Sequence, residues 1–308
     1  MKLDVRRATR AWEPTTVLRG DLEDARELLE ELDSAVVLTG AGISTASGVP
    51  DYRGPRAQRA TPMMYSEFVA DEANRRRYWA RNYQGWEHLG RADPNVGHRA
   101  LAQWEGTGHP TSLVGVITQN VDGLHEAAGQ QRLVTLHGRS AEVICLDCGQ
   151  VTRRADLQPR LAALNPDVEP RRDMGHAELR PDADAVVDEW HDFVVPECLN
   201  CGGVLKPHVV FFGEPVPKDR VREAFAWCDR ADALLVAGSS LTVMSGLRFA
   251  RYMHKQSKPV VVVNQGATRA DELATVRLDA PTSEVLTRLV NGVAMPGQAS
   301  GHGSREAG

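Results

Sequence analysis

Two short cysteine pairs limit what this chain can fold into more than any other feature. In Cys145-Leu-Asp-Cys148-Gly149 and Cys198-Leu-Asn-Cys201-Gly202-Gly203, each spacing lets two thiolates grip one ion. The glycine that follows permits the tight turn that aims backbone N–H groups at the sulfurs. Together the knuckles make a closed tetrahedron of four thiolates, a donor set that selects zinc. Four thiolates leave no position open to a substrate, so one structural zinc ion per chain is expected. The fold must then bring Cys145 and Cys148 beside Cys198 and Cys201 and let the long spacer leave as a loop. A pair of redox dithiols, or four unrelated buried cysteines, are the alternatives. Cys228, on the apolar stripe of a helical stretch, is expected in the core. Five cysteines are too few and too oddly numbered for a disulfide scaffold, which points to a reducing compartment and the cytoplasm.

The rest of the composition mainly excludes. With 42% hydrophobic and 25% charged residues the chain sits near the globular norm, so disorder throughout is ruled out. Its 308 residues allow one or two domains. The net charge of −5 argues against a partner held by phosphate electrostatics, such as nucleic acid. Apolar runs such as 233–238 and 259–263 fall far short of the ~20 residues that span a bilayer, so no membrane partner is expected. The first 14 residues lack the apolar stretch of a secretory signal. Arg6, Arg7 and Arg10 suggest a transit peptide, but Asp4 and Glu13 interrupt that reading.

Hydrophobic patterning gives the architecture. Leu22, Ala25, Leu28, Leu29 and Leu32 recur at helical spacing behind a cap at Asp21. The apolar run 35–38 then enters the glycine turn Gly40-Ala41-Gly42, as at the start of an α/β nucleotide-binding unit. Further strand-like runs fall at 113–118, 133–136, 209–212, 233–237 and 260–263. Helical stretches at 218–229 and 246–255 alternate with them, and Val221, Ala224, Phe225 and Cys228 line one face of the first. This rhythm predicts an α/β fold, a Rossmann-like doubly wound parallel sheet covered on both faces. Two stretches break it: a mostly helical insert at 61–97, carrying Trp79 and Trp86, and the cysteine module at 141–205, with a Pro- and Asp-rich loop over 159–184. Residues 296–308 read as a disordered tail.

The glycine turn is not an ordinary dehydrogenase turn. Its third glycine position holds Thr45, and no acidic residue follows at the expected distance. No Gly-Lys-[Ser/Thr] phosphate loop is present, which removes nucleoside-triphosphate hydrolysis from the leading readings. The strand ends that follow are more telling. Residues 44–54 pack hydroxyls, Asp51, Tyr52 and Arg53 into a glycine-bracketed loop. The second strand delivers Gln119-Asn120-Val121-Asp122-Gly123-Leu124-His125, another ends in His137-Gly138, and later ones in Gly238-Ser239-Ser240 and Asn264-Gln265-Gly266. Such residues suit sugars and phosphates, and ligands of open α/β sheets bind where strands end. Any one of them taken alone reads better as an ordinary polar turn.

Taken in order, Gly-Ala-Gly-Ile-Ser-Thr, Ser-Gly-Val-Pro-Asp-Tyr-Arg, Thr-Gln-Asn-Val-Asp-Gly-Leu-His, Leu-His-Gly, the paired knuckles, Lys-Pro-His-Val-Val-Phe-Phe-Gly-Glu and Gly-Ser-Ser resemble the sirtuins, NAD-dependent protein deacylases. The match runs from about residue 20 to 292, and Arg77-Tyr78-Trp79-Ala80-Arg81-Asn82 with the long module loop resembles the class II branch. Tyr52 stands where many sirtuins have Phe, keeping the aromatic face and adding a hydroxyl.

The resemblance implies that Gly40, Ala41, Gly42, Ser44 and Thr45 cradle the NAD⁺ pyrophosphate, with Asp51, Tyr52 and Arg53 on a clamping loop. It places Gln119, Asn120, Val121 and Asp122 around nicotinamide and ribose, with Asn120 and Asp122 acting alongside His137 in catalysis. Gly238, Ser239, Ser240, Asn264, Gln265, Gly266 and Thr282 would hold the adenosine half. His137 is expected to be the general base, a task suited to an imidazole with its ordinary pKa near 6.5. His98 is expected to cap or pack, and His88, His109 and His254 to lie on the surface. The implied chemistry begins with attack of the acyl-lysine carbonyl oxygen on the nicotinamide ribose and loss of nicotinamide. His137 then draws a proton through the ribose hydroxyls, and free lysine and 2′-O-acyl-ADP-ribose leave. The segment Val209, Val210, Phe211, Phe212 and Gly213 would pair with the acyl-lysine protein substrate as an added strand. Protein mono-ADP-ribosylation and non-catalytic NAD or ADP-ribose binding are the competing functions. Within this reading 20–60, 98–140 and 206–292 form the Rossmann-like part of a 20–292 catalytic unit, and 1–19 an N-terminal arm. Tyr78 and Arg81, three apart on a helix, either read an acidic acyl chain or are a packing tyrosine and a solvated arginine. Acyl preference, target proteins and oligomeric state stay open.

Overall fold

A computed structural model describes residues 17–51, 62–106, 108–169 and 190–291; Tyr52, Arg53, residues 1–16 of the N-terminal arm and the tail lie outside them. Helix α1 (Leu22–Glu30) begins where its cap says it should. Asp21 Oδ1 accepts from the backbone N–H groups of Glu23 and Asp24, and Asp24 returns a carboxylate oxygen to the Asp21 N–H.

Strand β1 (Ser34–Thr39) sits at the centre of a six-stranded sheet of order β3-β2-β1-β7-β8-β9, parallel throughout. The others are β2 (Ser112–Thr118), β3 (Leu133–Thr135), β7 (Ala233–Ala237), β8 (Val260–Val263) and β9 (Val276–Leu278), with helix α4 (Val96–Gly106) before β2 and the short α5 (Leu124–Ala127) between β2 and β3. Side chains of a strand alternate in direction, so a sheet buried on both faces needs apolar residues at nearly every position. Val37, Val116, Leu235 and Val261 pack on one face against Leu29, Trp104 and Leu286 of flanking helices. Val36, Leu38, Leu234, Val236 and Val262 pack on the other against Ala224, Cys228, Leu247 and Phe249. The doubly wound sheet is thus observed, and Cys228 is a core residue.

The register positions the site. Thr39 pairs with Thr118 and Ala237, Thr118 with Thr135, and Ala237 with Val263. Gly40, Gln119, Leu136, Gly238 and Asn264 therefore leave the sheet along one edge. The chain runs outward from β1 to β3, then returns to the far side of β1 as β7, which makes the gap between β1 and β7 the switch point where such sheets bind ligands.

A second unit consists of the antiparallel sheet β5-β4-β6 (β4 Gly138–Cys145, β5 Val151–Arg153, β6 Leu205–Val209) and helices α2 (Tyr65–Ala70), α3 (Glu72–Leu89) and α6 (Arg154–Leu164). The helical insert and the cysteine module share one core: Phe68, Tyr78, Trp79 and Tyr83 pack with Val143, Leu161, Cys198, Leu205 and Phe211. Trp79 also donates from Nε1 to the Leu205 carbonyl at 3.1 Å.

Several details differ from expectation. The stretch from Pro159 begins inside α6 rather than in a loop. Leu157 and Leu161 are buried there, and their packing outweighs the one backbone bond that Pro159 cannot make; residues 170–189 lie outside the described set. The strand expected at 209–212 is shifted: β6 ends at Val209, because Phe211 turns into the aromatic core and Gly213 takes a φ of +83°. His109 is half-buried rather than a surface residue, its ring 5.0 Å from Trp104 and bonded to Thr111 and Leu289. Among the described residues, no helix is long and apolar enough to cross a membrane.

Candidate active site and metal centre

The four knuckle cysteines converge. All four sulfurs lie within 4.8 Å of one another, with Cys145 Sγ 3.5 Å from Cys201 Sγ and Cys148 Sγ 3.8 Å from Cys198 Sγ. A tetrahedron with Zn–S bonds of ~2.3 Å has edges near ~3.8 Å, whereas a disulfide closes to ~2.05 Å, so the donor set fits one zinc ion and not a pair of disulfides. Each knuckle turns on a glycine: Gly149 and Gly202 take φ of +72°, and their N–H groups return to the carbonyls of Cys145 and Cys198. Cys145 ends β4 and Cys198 is buried in the shared core, so an ion here ties the strands to the aromatic cluster.

At the sheet edge, Gly40–Gly48 folds as two short 3-10 turns, Ala41–Ile43 and Thr45–Ser47, instead of the helix N-terminus that the strand–glycine pattern suggests. The reason is the closeness of the neighbouring loop. Gly42 N–H donates to the Gly238 carbonyl at 2.8 Å. A Cβ on Gly42 would lie 2.8 Å from that oxygen, and one on Gly238 only 2.4 Å from the Ile43 nitrogen. Two backbones thus touch at the β1–β7 switch point with no room for side chains. Beside it Leu241 takes a φ of +51° while buried, a conformation that favours glycine; its N–H donates to Ser239 Oγ.

A polar network lines the next part of the edge. Ser44 Oγ donates to Asp122 Oδ2 at 2.7 Å and accepts from Asn120 Nδ2 at 3.0 Å. Asn120 also donates to the Gly40 carbonyl. Burial pushes the Asp122 carboxyl up, and bonds from the Leu124 N–H and Ser44 oppose that. His98 lies beneath: its Nδ1 accepts from the Asn95 N–H, and Nε2 faces Ser44 Oγ at 3.4 Å. His125, missed by the sequence reading except as part of a motif, is buried edge-on to His98, with Nε2 2.9 Å from Thr39 Oγ1. Burial pulls His98 down to about 4 and His125 well below its ordinary value. The Val121 carbonyl accepts from the Ser140 hydroxyl on β4, and its side chain packs against the aromatic core of the second unit. Thr45 is exposed, its hydroxyl on the Gly42 carbonyl, and Asp51 is half-buried at the end of the described loop.

His137 follows β3 at this edge. Nδ1 is 2.9 Å from the Gln119 carbonyl and Nε2 is 2.8 Å from Ser245 Oγ. A carbonyl only accepts, so Nδ1 carries the proton and Nε2 presents the lone pair. Burial pulls the imidazole down to about 4, the Gln119 bond opposes this, and Arg220 and Arg248 add to the depression. The Gln119 side chain points away, donating to Ser239 Oγ at 2.7 Å.

The far strand ends are held by a residue that composition alone does not reveal. Arg277 of β9 is fully buried. It donates to Asp271 Oδ1 at 2.7 Å, the Asn264 carbonyl at 3.1 Å, the Gly266 carbonyl at 2.5 Å and the Leu278 carbonyl. It thereby fixes the Asn264-Gln265-Gly266 turn, where Gly266 has a φ of +77°. Ser240 bonds Thr242, and Thr282 is buried at the start of the last helix (Thr282–Asn291).

The segment after β6 is braced from within. Val210 N–H donates to the His137 carbonyl at 2.8 Å, and Phe212 accepts from the Tyr65 N–H at 2.9 Å. The buried Lys206 ammonium donates to the Val209 carbonyl at 2.6 Å and pairs with Glu214 Oε2 at 3.1 Å. That same Glu214 oxygen accepts from the Phe211 N–H. Tyr78 packs on Phe211 with ring centroids 5.0 Å apart and is only 4% exposed.

Comparisons with known proteins agree with this arrangement. The model of the Sir2 family matches residues 40–245. The chain is 52% identical to NAD-dependent protein deacetylase 1 of Mycobacterium avium (strain 104), over 83% of this chain and 90% of that protein. It is 45% identical to the Bos taurus NAD-dependent protein lipoamidase sirtuin-4, mitochondrial, over 82% of this chain and 80% of that one. A solved structure of Sir2 with a p53 peptide and NAD⁺ superposes with a TM-score of 0.69 at 30% identity, covering 88% of this chain and 98% of that one.

Proposed function

The chain belongs to the Sir2 family and is an NAD-dependent protein deacylase, and we propose that it removes acyl groups from protein lysine side chains with His137 as the general base. Its cofactors are NAD⁺ and one structural zinc ion on Cys145, Cys148, Cys198 and Cys201. Bound NAD⁺ supplies a nicotinamide that leaves and a ribose that takes over the acyl group.

The observation that carries the base assignment is the bond from His137 Nδ1–H to the Gln119 carbonyl. It fixes the tautomer and leaves the Nε2 lone pair to take up a proton. Asn120 and Asp122, held by Ser44, are suited to orient the nicotinamide amide. Gly40, Ala41, Gly42 and Gly238 would take the pyrophosphate, Ser239, Ser240, Asn264, Gln265, Gly266 and Thr282 the adenosine half. The contribution of these residues is orientation of two substrates and exclusion of water. The peptide would lie along 209–213, whose shape the Lys206–Glu214 pair maintains. An environment that keeps four closely set cysteine thiols reduced supports the cytoplasm as its compartment. His137→Ala tests the assignment: NAD⁺ binding is expected to persist while deacylation falls ~10²–10⁴-fold, and undiminished turnover removes His137 from the mechanism.

A further inference from the structure

The hydroxyl of Ser245 occupies the one position on His137 that a general base must keep for its proton. Nδ1–H is committed to the Gln119 carbonyl at 2.9 Å, so the neutral ring has a single lone pair, at Nε2, and Ser245 Oγ lies 2.8 Å from it. The hydroxyl is therefore the donor in this bond. Ser245 stands in the first turn of helix α8 (Met244–Lys255), and its neighbour explains how it comes so close. Gly246 is buried against the Gln119 side chain, where a Cβ would lie 2.6 Å from Oε1. The helix start is thus pressed onto the residue whose carbonyl orients the imidazole.

We propose that Ser245 is a catalytic residue that relays the proton from a substrate sugar hydroxyl to His137. The step balances: Ser245 Oγ–H breaks as Nε2–H forms, Oγ takes the proton of the sugar hydroxyl, and the sugar oxygen keeps the bonding electron pair. Serine ends neutral and His137 ends as an imidazolium that donates to Oγ. A hydroxyl can both donate and accept, which the relay requires, and a charge-assisted bond to the imidazolium is stronger than the bond it replaces. The surroundings make that help necessary. The half-buried ring also feels two cations, Arg220 on α7 (Lys218–Arg230) and Arg248 on α8, which disfavour its charged form, while the Gln119 bond favours it.

This inference rests on His137 being the base, so His137→Ala is run beside the serine variants. Nicotinamide release precedes the proton transfer, so exchange of labelled nicotinamide into NAD⁺ separates relay from general damage. Ser245→Ala is expected to keep that exchange and a KM for NAD⁺ within about twofold of wild type, while kcat for deacylation falls roughly 10- to 100-fold. Ser245→Thr, which keeps the hydroxyl, is expected to restore most of it. In the NAD-free protein, the ¹⁵N resonance of neutral His137 Nε2 is expected to shift in Ser245→Ala and to stay near wild type in Ser245→Thr. Wild-type or raised kcat in Ser245→Ala, equal loss of exchange and deacylation, or an unmoved Nε2 resonance would each overturn the relay. If His137→Ala itself turns over normally, the base assignment fails first.

Discussion

Lowering the pH from 7 to 5 should destabilise this fold through histidines that are buried without charge. His98 is fully buried, and its pKa is pulled to about 4 by loss of hydration, with Arg99 adding to the effect. Unfolded, the same imidazole titrates near ~6.5. Between these values the unfolded chain binds the extra proton, so the stability linked to His98 is complete above ~6.5 and is lost as pH falls toward about 4. At pH 5 that loss is about 1.5 pH units at ~1.36 kcal/mol each, or about 2 kcal/mol. His125, buried beside it with its pKa also depressed, adds a loss of the same sign. His137 is half-buried at the cleft, where water moderates its share. Against a typical margin of ~5–15 kcal/mol this is large. Urea unfolding at pH 7 and pH 5, with wild type and His98→Gln, isolates the contribution. Acid effects on zinc and carboxylates are common to both proteins and cancel in the difference. The variant should lose about 2 kcal/mol less than wild type between the two pH values, whatever its stability at pH 7. An identical pH dependence in the two proteins would refute the buried neutral imidazole.

Three further outcomes are expected. Cys145→Ser or Cys198→Ser should abolish stoichiometric zinc and lower Tm sharply, since structural zinc contributes ~10–16 kcal/mol of apparent binding free energy in small modules; a soluble, active preparation free of zinc on metal analysis would contradict the structural role. Gly42→Ala, whose Cβ would meet the Gly238 carbonyl at 2.8 Å, should raise the NAD⁺ Kd at least tenfold in calorimetry with zinc content unchanged, and a wild-type Kd would count against the cradle. Lys206→Met strands Glu214 and releases the Val209 carbonyl, so the peptide KM should rise about tenfold with the KM for NAD⁺ unmoved, and equal changes in both would show that the brace does not act on the peptide segment.

What was legible in the sequence was local or covalently close. The β-rich runs at 35–38 and 260–263, the cap at Asp21 and the two knuckles specify their structures through neighbours a few residues away, and each appears where it was expected. The convergence of His137, Gln119 and Ser239 was legible only as a set of strand ends. Sheet order and register, which decide that they meet, come from pairings across the whole chain. Long-range packing hid the rest. Pro159 reads as a breaker, but Leu157 and Leu161 hold its helix against the shared core. Nothing near Arg277 in sequence signals that it fixes the turn at Asn264, or that Ser245 reaches a histidine more than a hundred positions earlier. The polar side chains that matter most here are those whose partners come from another strand or helix.

The most direct test of the account is mass spectrometry of the products formed from acyl-lysine peptides with and without NAD⁺. With NAD⁺, each acyl group removed should yield one free lysine, one nicotinamide and one 2′-O-acyl-ADP-ribose, and without NAD⁺ none. ADP-ribose attached to protein with the acyl-lysine left intact would assign the site to ADP-ribosyl transfer, and NAD⁺ bound but unconsumed across the panel would make it a binding module; either result would contradict deacylation.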